Sequence, residues 1–255
     1  MKLKLSEDKI LLAIGNSRLH WAWLRNEKLL ATWHTPHLSQ AVTSYLLPPK
    51  LLFDRLVDLG LNNLPIYIAS VVPSQTKLWQ NYRHTHIITL EDIKLSNLYP
   101  SLGIDRALAA WSGGENYGYP CLIIDGGTAL TFTGINKQKQ LIGGAILPGL
   151  GTQFVTLKKQ TAALPQMNLT PNLPPRWATD TNSAIASGII YTALAGIYSY
   201  IIDWLHKYPQ SQIIFTGGDG EILNQYCKQR YLELKIACDR HLIFYGMKLA
   251  IATKN

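Results

Sequence analysis

A twelve-residue pattern occurs twice in this chain, and the recurrence constrains the fold more than any other feature. The segment ILLAIGNSRLHW (Ile10–Trp21) returns as LIIDGGTALTFT (Leu122–Thr133), 112 residues later. In each copy an apolar run enters a glycine turn and an alternating run leaves it. Gly15 falls over Gly127, Ser17 over Ala129, and Ala13 over Asp125. An offset of nearly half the 255 residues implies two similar halves, each opening on a strand–turn–strand unit. Two such units facing each other would form a cleft.

Short β-branched or alternating runs predict strands at Ile10–Ile14, Arg18–Leu24, Leu29–His34, Ile66–Val72, His86–Thr89, Cys121–Asp125, Ala129–Ile135, Gln140–Leu147 and Gln212–Thr216. Helical spacing predicts helices at Leu38–Tyr45, Leu51–Leu59, Gln75–Arg83, Ile104–Tyr117, Gly151–Thr161, Thr181–Tyr208 and Gly220–Gln229. The interleaving indicates an α/β class. Leu164–Asp180 carries four prolines and reads as a long loop.

Composition narrows the function. A hydrophobic content of 47% supports a core, and only 16% of residues are charged. Three scattered cysteines without a CxxC pair offer no zinc site and fit a reduced, cytoplasmic setting. The first twelve residues mix acidic and basic groups and do not read as a signal peptide. The net charge of +8 permits nucleic acid, but Lys and Arg are scattered and never interleave with aromatics, so no nucleic-acid partner is expected. Ala184–Ile202 carries no charge and is long enough to span a bilayer. Its Gly, Ser, Thr and Tyr dilute the apolarity, and a buried or subunit-interface helix is expected, not a membrane span.

Glycine turns let backbone N–H groups approach an anion, and the same pairs also make ordinary hairpins. AIGNS and DGGTA fit both descriptions, and their repetition favours phosphate binding. GGAILPGLG (Gly143–Gly151) and TGGDG (Thr216–Gly220) are further glycine turns after strands. Asp105 and Arg106 open a helix, where a carboxylate serves as first-turn cap or as a site group. Asp125 ends an apolar strand, the place where α/β ligand sites sit. Thr181 either caps the long helix or faces a ligand.

Together these motifs resemble the type III pantothenate kinases of the actin/hexokinase-like ATPase superfamily. The order is AIGNS at 13–17, ASVVP at 69–73, GIDR at 103–106, DGGTA at 125–129, GGAILPG at 143–149, TNSAIASG at 181–188 and TGG at 216–218. The resemblance implies two duplicated ribonuclease-H-like domains, residues 1–112 and 113–255, with an interdomain cleft. It also implies a homodimer that phosphorylates pantothenate with ATP, using Mg²⁺ and a monovalent cation, K⁺ or NH₄⁺. By the same resemblance Asp105 is the base, and Gly103, Ile104, Asp105, Arg106, Thr181 and Tyr99 meet the substrate. Ala13, Ile14, Gly15, Asn16, Ser17, Arg18, Leu19, His20 and Thr128 meet ATP, and Asp125 holds the monovalent cation.

The chain departs from the family pattern in two places. Its first loop reads Asp-x-Gly-Asn-Thr, whereas this chain has Ala13 and Ser17. Its substrate tyrosine lies further upstream of GxDR than Tyr99 does here. Ala13 motivates a rival reading, a non-catalytic regulator that binds nucleotide or pantothenate.

Overall fold

A computed structural model of the chain describes residues 8–42, 46–61, 63–160 and 169–254. These divide into two compact units. Unit 1 comprises Met1–Ile93, Pro100–Leu108 and Ile243–Asn255, and unit 2 comprises Lys94–Tyr99 and Ala109–Leu242.

Unit 1 is built on strands β1 (Asp8–Ile14), β2 (Leu19–Arg25), β3 (Lys28–Thr35), β4 (Ile66–Ser70) and β5 (Thr85–Ile87), in the order β3-β2-β1-β4-β5. Unit 2 is built on β6 (Cys121–Gly126), β7 (Ala129–Ile135), β8 (Leu141–Pro148), β9 (Gln212–Thr216) and β10 (Ile236–Cys238), in the order β10-β9-β6-β7-β8. Read from opposite edges, the two orders are the same. In each sheet the first strand pairs antiparallel with the second and parallel with the fourth. The α/β class and the duplication are therefore both present.

The repeat register holds along the first strands and slips by one residue in the turns. Ile14 pairs with Leu19, leaving residues 15–18 in the first turn. Gly126 pairs with Leu130, leaving residues 127–129 in the second. Gly15 N–H donates to the Arg18 carbonyl at 3.2 Å, and Gly127 N–H donates to the Ala129 carbonyl at 3.0 Å. Gly15 and Gly127 are thus equivalent, but the equivalent of Ala129 is Arg18 and not Ser17. The ungapped sequence overlay missed this because the first turn holds one more residue.

The helices are α1 (Asp54–Asp58), α2 (Pro73–Lys77), α3 (Ile104–Tyr117), α4 (Leu150–Gln160), α5 (Thr181–Lys207), α6 (Gly220–Arg230) and α7 (Leu242–Lys254). Residues 38–42 form no helix, and 43–45 lie outside the described residues, as do 164–168 of the proline-rich segment. In unit 1 one sheet face buries Ile10, Leu12, Ile14, Trp21 and Trp23 against Trp79 and neighbouring apolar side chains. Trp21 stacks on Trp33 at 5.9 Å between ring centroids.

In unit 2, α5 lies on the sheet through Ser187, Ile190, Leu194, Ile197, Ile201 and Trp204, spaced alternately three and four. That spacing gives one continuous stripe on a helix. Among the described residues α5 alone is long and apolar enough to cross a membrane, and this stripe is buried within the protein. The described part of the proline-rich loop is tied down by hydrogen bonds from Ser187 Oγ to the Arg176 carbonyl (2.7 Å) and from Tyr191 OH to the Pro174 carbonyl (3.0 Å).

Helix α7 was not expected from the sequence. Its run LIFYGMKLAIATK is apolar on nearly every side, so no amphipathic period marks it. Its Gly246 lets the backbone approach α3, because a methyl group there would stand 2.3 Å from the Leu108 carbonyl oxygen. Gly246→Ala should therefore destabilise the protein by about 1–3 kcal/mol, despite alanine's better helix propensity. Urea unfolding reads the effect, and a variant at least as stable as wild type would contradict this packing.

Candidate functional site

Unit 1 gathers three of the motif segments. The first turn leaves β1 at Ile14, whose carbonyl accepts from Val71 N–H at 3.1 Å, so ASVVP lies beside AIGNS. Val71 also flanks GIDR, since a methyl group on Gly103 would lie 3.7 Å from Val71 Cγ1. The same methyl would stand 2.5 Å from Asp105 Oδ1. Gly103 is therefore small because the Asp105 carboxylate folds back over it.

Asp105 sits in the first turn of α3, and its Oδ1 accepts from Arg106 N–H at 2.8 Å. Asp105 is half-buried and Arg106 is buried, only 8% exposed. Burial pushes the Asp105 carboxyl above its ordinary value, and the Arg106 amide and guanidinium offset this only in part. One carboxylate oxygen of Asp105 thus binds a first-turn amide, while the desolvated carboxyl is held more basic than usual.

In the first turn, Asn16, Ser17 and Arg18 are exposed and Ala13, Ile14 and Leu19 are buried. His37 Nε2 donates to the Gly15 carbonyl at 2.8 Å, which fixes the turn from outside the repeat. Nothing in the sequence marked His37 for this, because its contact lies 22 residues away in an irregular segment.

Unit 2 gathers three glycine turns around Asp125. A methyl group on Gly217 would stand 2.1 Å from Asp125 Oδ1, and one on Gly127 would stand 3.3 Å from it. Gly217 also takes a φ of +85°, which side-chain-bearing residues rarely adopt. Asp219 N–H donates to the Gly126 carbonyl at 2.7 Å, which closes TGGDG onto DGG. From the other side Gly149 N–H donates to the Thr128 carbonyl at 2.9 Å, and Thr152 Oγ1 donates to the same oxygen at 2.6 Å. Thr152 lies beyond the end of its motif and was not anticipated. The Thr128 side chain is exposed.

Thr181 is exposed and begins α5, but it is not the cap. Asp180 is the N-cap, and its carboxylate accepts from Ser183 N–H at 2.9 Å. Tyr99 is 41% exposed and belongs to unit 2. Among the described residues no group of three or more His, Cys, Asp or Glu side chains could hold a metal ion. Around Asp125 the donors are oxygens, from its carboxylate and from the Thr131 and Thr216 residues that pair with it on either side. Such a set suits a hard cation, not a thiolate- or imidazole-bound one.

Comparison with known proteins agrees with this geometry. The family model described as type III pantothenate kinase matches residues 9–203. A type III pantothenate kinase from a Synechocystis species is 48% identical over 238 residues, covering 92% of this chain and 87% of that protein. One from a Nostoc species is 45% identical over 257 residues, covering 94% and 93%. Among solved structures, the activator of 2-hydroxyisocaproyl-CoA dehydratase from Clostridium difficile, with bound ADPNP, superposes with a TM-score of 0.53 at 12% identity, covering 97% of this chain and 96% of that one. MreB5 of Spiroplasma citri, bound to ADP, gives 0.51 at 14% identity with 98% of each chain covered. These two likenesses show a shared fold. On the family match and the two close relatives, the chain belongs to the type III pantothenate kinase family.

Proposed function

We propose that this protein transfers the γ-phosphate of ATP to the primary hydroxyl of pantothenate, giving 4′-phosphopantothenate and ADP, the first step of coenzyme A synthesis. The observation that carries the reading within unit 1 is Asp105, a desolvated carboxyl at a helix start, folded over Gly103 beside the first glycine turn. In this reading Asp105 accepts the hydroxyl proton as that oxygen bonds to the γ-phosphorus and the bond to the β-bridging oxygen breaks. A carboxylate held more basic than usual suits a proton removed late in a loose transition state. Arg106 offers a fork for the pantothenate carboxylate. Gly103, Ile104, Thr181 and Tyr99 are assigned to the same substrate, and residues 13–20 and Thr128 to ATP. Backbone N–H groups of the glycine turns stabilise charge developing on the phosphoryl oxygens.

Mg²⁺, when bound with ATP, would neutralise phosphate charge, and the scarcity of clustered carboxylates fits a shell drawn mostly from ATP oxygens and water. Asp125 is assigned to a monovalent cation, K⁺ or NH₄⁺, on the oxygen donors around it. The regulator reading rests on Ala13 alone, whereas Asp105, Arg106, Asp125 and Thr128 are all retained. A cytoplasmic location follows from the substrates.

We assign a homodimer to the exposed face of α5. Gly188, Thr192, Ala195, Gly196 and Ser199 are exposed there. A methyl group on Gly188 or Gly196 would meet nothing within 4 Å in its own chain. Each glycine costs a helix about 1 kcal/mol relative to alanine. Close approach of a second copy accounts for both. Gly196→Arg should halve the mass seen by sedimentation, and a monomeric wild type would overturn the assignment.

A coupled assay with pantothenate, ATP, Mg²⁺ and K⁺ tests the activity itself. Asp105→Asn should lower kcat by about 10²-fold or more while ATP still binds. In the wild type, kcat/KM should fall as pH drops through a midpoint above the ordinary carboxylate range, because only the ionised base acts. The stability sign is opposite. A raised folded pKa means ionisation costs stability, a cost absent below the unfolded value of about 3.9 and present once pH exceeds the folded value. Asp105→Asn should therefore raise Tm at neutral pH and leave it unchanged in acid. Wild-type kcat in this variant would remove Asp105 from the mechanism.

A further inference from the structure

Two neighbouring carbonyls stand where β1 runs into the first turn, and each is held by a different segment. The Ile14 carbonyl accepts from Val71 N–H at 3.1 Å, and the Gly15 carbonyl accepts from His37 Nε2 at 2.8 Å. The two donor segments are also tied to each other. Gln75, on α2 just past Val71, closes both backbone groups of Leu38. Its Oε1 accepts from Leu38 N–H at 2.9 Å, and its Nε2 donates to the Leu38 carbonyl at 3.1 Å. Unit 1 therefore contains a closed circuit that runs through Ile14, Val71, Gln75, Leu38, His37 and Gly15.

The circuit decides where the turn's amides point. A carbonyl oxygen only accepts, so His37 Nε2 carries the hydrogen. The peptide joining Gly15 to Asn16 is trans, so its C=O and N–H point in opposite directions. Holding the Gly15 oxygen against His37 therefore aims Asn16 N–H away from His37, in a turn whose residues 16–18 are exposed. Gly15 N–H is already given to the Arg18 carbonyl.

Unit 2 holds its turn from the same place. There the segment after its third strand, β8, donates to the Thr128 carbonyl through Gly149 N–H and through Thr152 on α4. His37 likewise follows the third strand of unit 1, β3, but residues 38–42 form no helix. The donor in unit 1 is thus a side chain, and Gln75 gives it the support that α4 gives in unit 2.

We propose that His37 is a positioning residue for nucleotide, which sets the direction of Asn16 N–H at the first turn, and that Gln75 holds it in place. Neither is assigned a contact with the nucleotide. The inference rests on the kinase reading above. The test is a coupled assay with ATP and pantothenate varied in turn, and thermal unfolding alongside. It compares wild type, His37→Leu, His37→Gln, Gln75→Leu and the double variant His37→Leu with Gln75→Leu. Leu at 37 removes the donor, whereas Gln keeps an N–H at a reach similar to Nε2.

His37→Leu should raise the KM for ATP about fivefold or more and leave the KM for pantothenate within about twofold, with Tm little changed because water can replace one bond at a half-exposed turn. His37→Gln should recover most of the loss. Gln75→Leu should raise the same KM, and the double variant should be no worse than His37→Leu, as expected of residues that act through one contact. An unchanged KM for ATP in His37→Leu would overturn the proposal, as would a His37→Gln variant equally impaired. So would a joint rise in both KM values matched by a fall in Tm, which loss of structure alone predicts. If His37→Leu does not fold, His37→Phe makes the same comparison. A wild type that neither binds ATP nor phosphorylates pantothenate would instead defeat the kinase reading.

Discussion

In unit 2 the Asp125 carboxylate occupies space that any side chain at residue 217 would need. The surrounding turns depend on that exclusion. Gly217 can close over Asp125 only as glycine, and its positive φ turns the chain so that Asp219 can bond back to Gly126. Gly149 comes close enough on the other side that a methyl group there would stand 2.0 Å from the Gly127 carbonyl oxygen. Three loops distant in sequence are thereby brought together beside one carboxylate, by missing side chains and by the hydrogen bonds that close TGGDG onto DGG and Gly149 onto Thr128. Unit 1 repeats the device once, at Gly103 beneath Asp105.

Much of this was legible in the sequence, for identifiable reasons. The strands around the two repeat turns were readable because apolar runs end there on glycine, and β7, β9 and α3 begin and end where the pattern placed them. The motif order pointed to the family that the comparisons show. Its limits were equally physical. The segments giving α1 and α2 are apolar at helical spacing for longer than the helices that form, because each has only five residues before the chain turns. β10 is three half-buried residues, too short to show a period.

Side-chain roles were harder to read than backbone ones. The joining of AIGNS to GIDR passes through Val71, whose amide and methyl are both ordinary in sequence. The basicity of Asp105 comes from burial, which depends on packing that no local pattern reports. The strand pairing that sets His20 beside Ala13 exists only once the strands are in register, since the two lie seven residues apart across a turn.

The unequal turns carry one more lesson. Residues 15–18 and 127–129 differ in number, yet the strands on either side keep the same pairing scheme. Register in each sheet is set by the buried rows, so a length change at the tip does not travel inward. A duplicated chain built this way can revise the glycine turn of one copy while the other keeps its own form. The scaffold and the tip can then diverge independently.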